Sequence, residues 1–168
     1  MGRHLRFITD GMLGKLTRWL RMIGHDVDYA GPMNDAQLIE KAKKEKRVLL
    51  TRDVELYKQS IAKGAEAFLI ENPDQTANLA RLAKRFKFNL EVDMNTSRCP
   101  KCNGTIKRVT KATIAKKIPE TTSSNYDEFW QCQSCNQIYW RGAHWKKIDK
   151  TLEEAKQALT DSRSSVNA

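Results

Sequence analysis

Four cysteines and four acids are the residues of this chain whose types and spacing can do chemistry. Cys99, Cys102, Cys132 and Cys135 are the only cysteines, arranged as two CxxC pairs with 29 residues between Cys102 and Cys132. Each CxxC lets one tight turn aim two sulfurs at one ion, and two such turns complete a tetrahedron. Both read as knuckles, "CPKCNG" and "CQSCNQ", each with an asparagine after its second cysteine that tolerates left-handed backbone. The rivals are two disulfides or a thioredoxin-like redox pair. A cytoplasmic chain disfavours disulfides, and neither CxxC opens a helix after a strand. The reading is a structural zinc site, closed by four sulfurs and so not catalytic. The gap between the pairs exceeds the usual spacing, which points to a ribbon with an extended hairpin.

The acids are Asp10, Asp35, Asp53 and Glu55. Asp10 ends the apolar run "LRFIT", Asp35 opens "DAQLIEKA", and Asp53 and Glu55 follow another apolar run in "RVLLTRDVELY". Aspartate at these positions also suits a helix N-cap and the helix dipole, and each alone reads as a cap before it reads as a ligand. Three carboxylates gathered on one edge would raise one another's pKa unless a cation sat between them. Oxygen ligands suit Mg or Mn, which also bind phosphate, and one or two such ions promote phosphodiester cleavage.

Net charge is +10 with a pI near 9.6, a balance that favours polyanionic partners such as nucleic acid. From Arg81 to Ile118 the chain carries eleven Lys or Arg against two acids. Candidate nucleic-acid contacts in and beyond this band are Lys84, Arg85, Lys87, Arg98, Lys101, Lys107, Arg108 and Lys111. Lys15, Arg18 and Arg52 stand close in sequence to the acids. The stretch "YDEFWQCQSCNQIYWRGAHW" adds aromatics able to stack on unpaired bases, with Trp140, Arg141 and His144 as candidates. The bland alternatives are a solvated face for the charges and a small core for the aromatics. Phe129 and Tyr139 are assigned to structure, Trp130 and Trp145 stay open, and His4 and His25 carry no signal.

The elements that must position these residues alternate. Strand patterns at 5–9, 27–30, 47–51 and 65–70 interleave with helical patterns at 12–23, 34–46, 54–63 and 74–88. Asn34 and Gln37 are spaced as a capping box, and Gly24 and Gly64 end helices. Such alternation implies an α/β fold with a doubly wound parallel sheet, in which ligands sit outside the carboxyl ends of the strands. The expected organisation is an α/β domain over 1–90, a linker over 91–98, a four-cysteine zinc ribbon over 99–148 and a helical or disordered tail over 149–168, helical from Trp145 to Leu159 and disordered from Ser162. No run of about 18 apolar residues exists, and "MGRHLRFITD" shows no secretion signal, so the expected location is cytoplasmic, with no membrane partner.

"FITDGMLGKLTRWLRMIGHDVDY", "NDAQLIEKA", "RVLLTRDVELY", the CPxC pair and "FWQCQSCNQIYWRGAHW" together resemble the PIN-like RNase domain of the Mut-seven C-terminal type, in its form with an appended zinc ribbon. The resemblance spans residues 5–148. It implies a PIN-like fold with helices on both faces of the sheet and metal-dependent endoribonuclease chemistry. By motif, Asp10 matches the first-strand acid, Asp35 the middle acid and Asp53 the acid of "TRD". Glu55 stands where related families carry a second acid, and Glu40 is an understudy to Asp35. The leading expectation is a ribonuclease acting on structured RNA, tRNA or rRNA, with Asp10, Asp35 and Asp53 holding Mg or Mn and Glu55 orienting water. The rival is a non-catalytic RNA-binding module, tRNA- or ribosome-associated, in which the ribbon binds and the acids are caps. A toxin of the PIN type is a third reading.

Overall fold

A computed structural model describes residues 5–165. His4 lies outside the described residues, as does Val166–Ala168, the end of the tail expected to be disordered. Four parallel strands, β1 (Arg6–Thr9), β2 (Asp26–Tyr29), β3 (Val48–Thr51) and β4 (Ala67–Leu69), form one sheet in the order β2-β1-β3-β4. Successive side chains of a strand point to opposite faces, and the core divides accordingly. Phe7, Val27, Val48 and Leu50 pack against α1 (Gly14–Ile23) and α4 (Gln75–Phe86). Ile8 and Leu49 pack on the other face against α2 (Asp35–Lys44) and α3 (Val54–Ala62). The α/β sheet with helices on both faces is therefore as expected.

The local signals hold. Leu16 and Leu20 of α1 are fully buried, each stabilising by about 1.5–3 kcal/mol relative to exposure. Gly24 ends α1 with φ 110°, which a side chain would oppose. The Asn34–Gln37 capping box is complete, at 2.9 Å and 3.1 Å.

Beyond Phe86 the chain leaves the parallel sheet. Within residues 91–98, Met94 and Ser97 are buried, and Ser97 Oγ donates to the Met22 carbonyl at 2.5 Å. A three-stranded antiparallel sheet follows, β5 (Ile106–Val109), β6 (Phe129–Cys132) and β7 (Ile138–Tyr139), in the order β5-β6-β7. The extended hairpin is replaced by a short β5–β6 pair whose connection folds into α5 (Lys111–Ile114) and α6 (Glu120–Asn125). Ile114, wholly buried against Phe129 and Ile138, is the apolar anchor of that connection. Then α7 (Trp145–Ser164) runs through the segment expected as a partly disordered tail, and its helix includes Ser162–Ser164. Leu152 and Ala155 of α7 are buried in the same core as Leu79 and Leu82 of α4. The helix is thus a layer of the α/β unit, held by that burial.

Asn103, in the first cysteine knuckle, joins the two parts. Its Oδ1 accepts the β2 amide of Val27 at 3.0 Å, and its Nδ2 donates to Asp26 Oδ1 at 2.7 Å. That contact covers the outer edge of β2, which would otherwise offer unpaired backbone groups. Asp26 also binds Arg47 at 3.0 Å, and Arg47 reaches Glu45 at 2.6 Å. Burial disfavours the Asp26 charge, but hydrogen bonds from Arg47 and Asn103 outweigh it and bring the pKa down to about 2. Arg21 of α1 completes the join, donating to the carbonyls of Val27 and Pro100 at 2.9 Å and 3.0 Å.

Candidate functional site

The two cysteine knuckles are built alike. The Asn103 amide donates to the Cys99 carbonyl at 2.8 Å and the Asn136 amide to the Cys132 carbonyl at 3.1 Å. Both asparagines take left-handed backbone, φ 71° and 62°. The turns bring the four sulfurs within 4.8 Å of one another. Cys99 and Cys135 lie 3.7 Å apart and Cys102 and Cys132 3.4 Å apart, close to the edge of about 3.8 Å that Zn–S bonds of about 2.3 Å give a tetrahedron. All four are free thiols, so the disulfide alternative falls. This donor set fits zinc in type, number and spacing, and the cluster can bind a structural zinc.

Cys99, Cys102 and Cys132 differ in acidity. Burial pushes the Cys102 thiol up to about 12, and burial raises Cys99 as well. Burial also works against the Cys132 thiolate, but amides of Cys135 and Ser134 point at it and bring it down to about 7. Two residues outside the CxxC pairs complete the cluster. The Tyr139 hydroxyl donates to Cys99 Sγ at 2.9 Å. Gly104 lets the knuckles approach, since a Cβ there would stand 2.6 Å from Ser134 Oγ and 2.9 Å from Cys132 Sγ. "CNG" was the only sequence sign of this.

The acids lie at the carboxyl edge of the parallel sheet. Because β3 pairs with β1 with Thr9 opposite Leu50, Asp10 and Thr51 come side by side. The Thr51 hydroxyl donates to Asp10 Oδ2 and accepts the Asp53 amide at 2.9 Å. Asp10 Oδ1 accepts the Met12 amide at 2.9 Å. Asp53 caps α3, its Oδ1 accepting the amides of Glu55 and Leu56 at 2.8 Å and 3.1 Å. Asp10 and Asp53 are thus linked through one buried threonine hydroxyl, at the point where the strand order reverses direction between β1 and β3. Thr51 was not singled out from the sequence, since a threonine closing an apolar run has no distinguishing pattern.

Asp35 is the exposed first residue of α2, which follows β2. Glu55 is exposed and 3.3 Å from Lys58, and Glu40 is exposed on α2. Among the described residues the cysteines form the one cluster of three or more such groups that close to 4.8 Å. The three aspartates share an edge without converging that far.

The basic and aromatic candidates divide by environment. Lys15, Arg18, Arg52, Lys84, Arg85, Lys87, Lys101, Lys107, Arg108, Arg141 and His144 are exposed. Arg108 pairs with Glu128 at 3.0 Å and Lys111 with Asp127 at 2.9 Å. Arg98 is committed to the fold, its Nε donating to the Asn103 carbonyl at 3.0 Å. Trp130 is core. Trp140 is half-buried beside Phe129, and Trp145 lies under the Arg141 guanidinium at 5.1 Å. No helix among the described residues is long and apolar enough to cross a membrane.

The family model of the Mut7-C RNAse domain matches residues 5–152, which carries a nuclease-type or RNA-related role and RNA as substrate or partner. No curated protein and no solved structure matches the chain.

Proposed function

The chain belongs to the Mut7-C RNAse domain family, and from that premise we propose that it is a metal-dependent endoribonuclease of the cytoplasm, acting on structured RNA such as tRNA or rRNA. The observation that carries the reading is the Asp10–Thr51–Asp53 linkage at the carboxyl edge, where open parallel sheets bind their ligands. Asp10, Asp35 and Asp53 would hold Mg or Mn, whose chemistry there is to generate the water nucleophile and neutralise charge at phosphorus. Their oxygens suit hard cations, of which Mg keeps several waters when bound. The Thr51 hydroxyl and Met12 amide keep Asp10 oriented as an acceptor. The amides capping Asp53 leave its Oδ2 without a hydrogen bond among the described residues. Glu55, one residue into α3, orients the attacking water. Lys15 and Arg18 on α1 hold the phosphate backbone, joined by the basic band and the ribbon.

The test separates catalysis from capping. Asp53→Asn keeps an oxygen for the α3 amides, so stability holds, while RNA cleavage in manganese falls at least about a hundredfold and binding persists. Asp10→Asn loses cleavage to the same extent, with some loss of stability because both Asp10 oxygens accept hydrogen bonds. Full cleavage by either variant removes these assignments. A second reading rests on the spread of the acids: with no three converging to 4.8 Å, the protein is a non-catalytic RNA-binding module. Binding by the zinc-loaded protein without Mg or Mn, and no cleavage at any concentration of either, selects it.

A further inference from the structure

Of four large apolar side chains exposed among the described residues, three stand on the edge that bears Asp10 and Asp53. Met12 is 72% exposed, Val54 48% and Tyr29 41%. Met12 and Val54 flank the two aspartates, and Tyr29 ends β2 beside β1. The Tyr29 hydroxyl donates to the Gly11 carbonyl at 2.5 Å, so its ring is fixed next to the Asp10 turn. The same ring forms one wall of a cleft of about 470 Å³ between α1 and the first knuckle. Arg18 and Lys101 stand at that cleft, with Gln137 and Tyr139 on the ribbon side and no acidic side chain among its lining. Aromatic rings, an amide and two exposed cations at one opening match the flat base and the phosphate of a nucleotide.

We propose that one unpaired nucleotide of the bound RNA is seated in this cleft against Tyr29 while its backbone passes Arg18 and Lys101. The inference rests on the ribonuclease reading and specifies its substrate. Apolar side chains beside the acids serve unstacked bases, because a duplex presents phosphate and ribose to that edge and covers its base faces. The cleft lies between α1 and the ribbon, with Tyr29 standing between it and the Asp10 turn, which gives the ribbon its part in recognition.

The test uses the zinc-loaded protein with calcium in place of Mg or Mn, so that binding is read apart from cutting, with a short fluorescent RNA as single strand and as blunt duplex. The single strand binds about tenfold tighter than the duplex. Tyr29→Ala weakens single-strand binding about tenfold, in the range of one lost stacked base, and Lys101→Glu weakens it about tenfold by reversing a charge beside the phosphate. Lys63→Glu, an equal charge change at the far end of α3, shifts binding less than twofold. A 4-thiouridine RNA crosslinks to the peptide bearing Tyr29 or Tyr139. Equal affinity for duplex, crosslinks confined elsewhere, or losses no larger than for Lys63→Glu overturn the proposal. Failure of the ribonuclease reading appears separately, as intact RNA when the unaltered protein is given manganese.

Discussion

Asn103 and Asn136 occupy equivalent positions in the two knuckles with nearly the same left-handed backbone, φ 71° and 62°, yet only Asn103 is docked on the sheet. Changing each to glycine isolates that docking. Glycine accepts positive φ, and its effects on backbone strain and on the unfolded chain are common to both sites and cancel in the comparison. Asn103→Gly additionally removes the acceptor for Val27 N–H and the donor to Asp26. A neutral hydrogen bond contributes about 1 kcal/mol and one to a charged group about 1.5–3 kcal/mol. Both sites are part-buried and water replaces some of this, so the net excess is about 2 kcal/mol. At 2–4 °C per kcal/mol for a chain of this size, Asn103→Gly melts about 4–8 °C below Asn136→Gly. Thermal unfolding followed by circular dichroism, with zinc in excess so that both variants are loaded, measures the difference. Melting temperatures within about 1 °C of each other would refute the argument that the knuckle is stapled to β2 through this side chain.

The depressed pKa of Asp26 makes acid stability a second readout. Its charged form is favoured by the fold, so the stabilisation is complete above the ordinary value of 3.8 and is lost as pH falls towards 2, an amount of about 2 kcal/mol. Urea titrations across that window show the slope in the parent and a shallower one in Asp26→Asn; equal slopes would assign the acid sensitivity elsewhere. Gly104→Ala forces a methyl to within 2.9 Å of Cys132 Sγ and weakens zinc affinity about tenfold or more in competition with a chromophoric chelator, by displacing a ligand. Chelating the zinc removes hydrogen-exchange protection from β5, β6 and β7 while β1 and β3 keep theirs, because Cys99 and Cys132 belong to a cluster separate from the core around Phe7 and Leu50; simultaneous loss across both sheets would show that the ribbon's metal supports the whole chain.

What the sequence by itself determined is what a few consecutive residues decide. The CxxC turns, the asparagines at positive φ, the Asn34 capping box and the Gly24 helix end each rest on dihedral preferences and hydrogen bonds within one turn of chain. Alternation of strand and helix further implied the parallel sheet, since short crossovers leave little else. Tertiary structure decided the rest. That Asp10 meets Thr51 depends on β3 lying beside β1 and not beside β2, an outcome of how both faces are covered. That α7 joins α4 depends on which apolar surface Leu152 and Ala155 find, which their helical spacing leaves open. The connection 110–128 offered no strong pattern, and its short helices are held by Ile114 burying itself against Phe129 and Ile138. Arg98 and Lys101, three residues apart and alike in charge, part company because one folds onto Asn103 and the other faces the cleft. Charge is written in the chain, but whether it serves the fold or a ligand is settled by the distant groups that packing brings within reach.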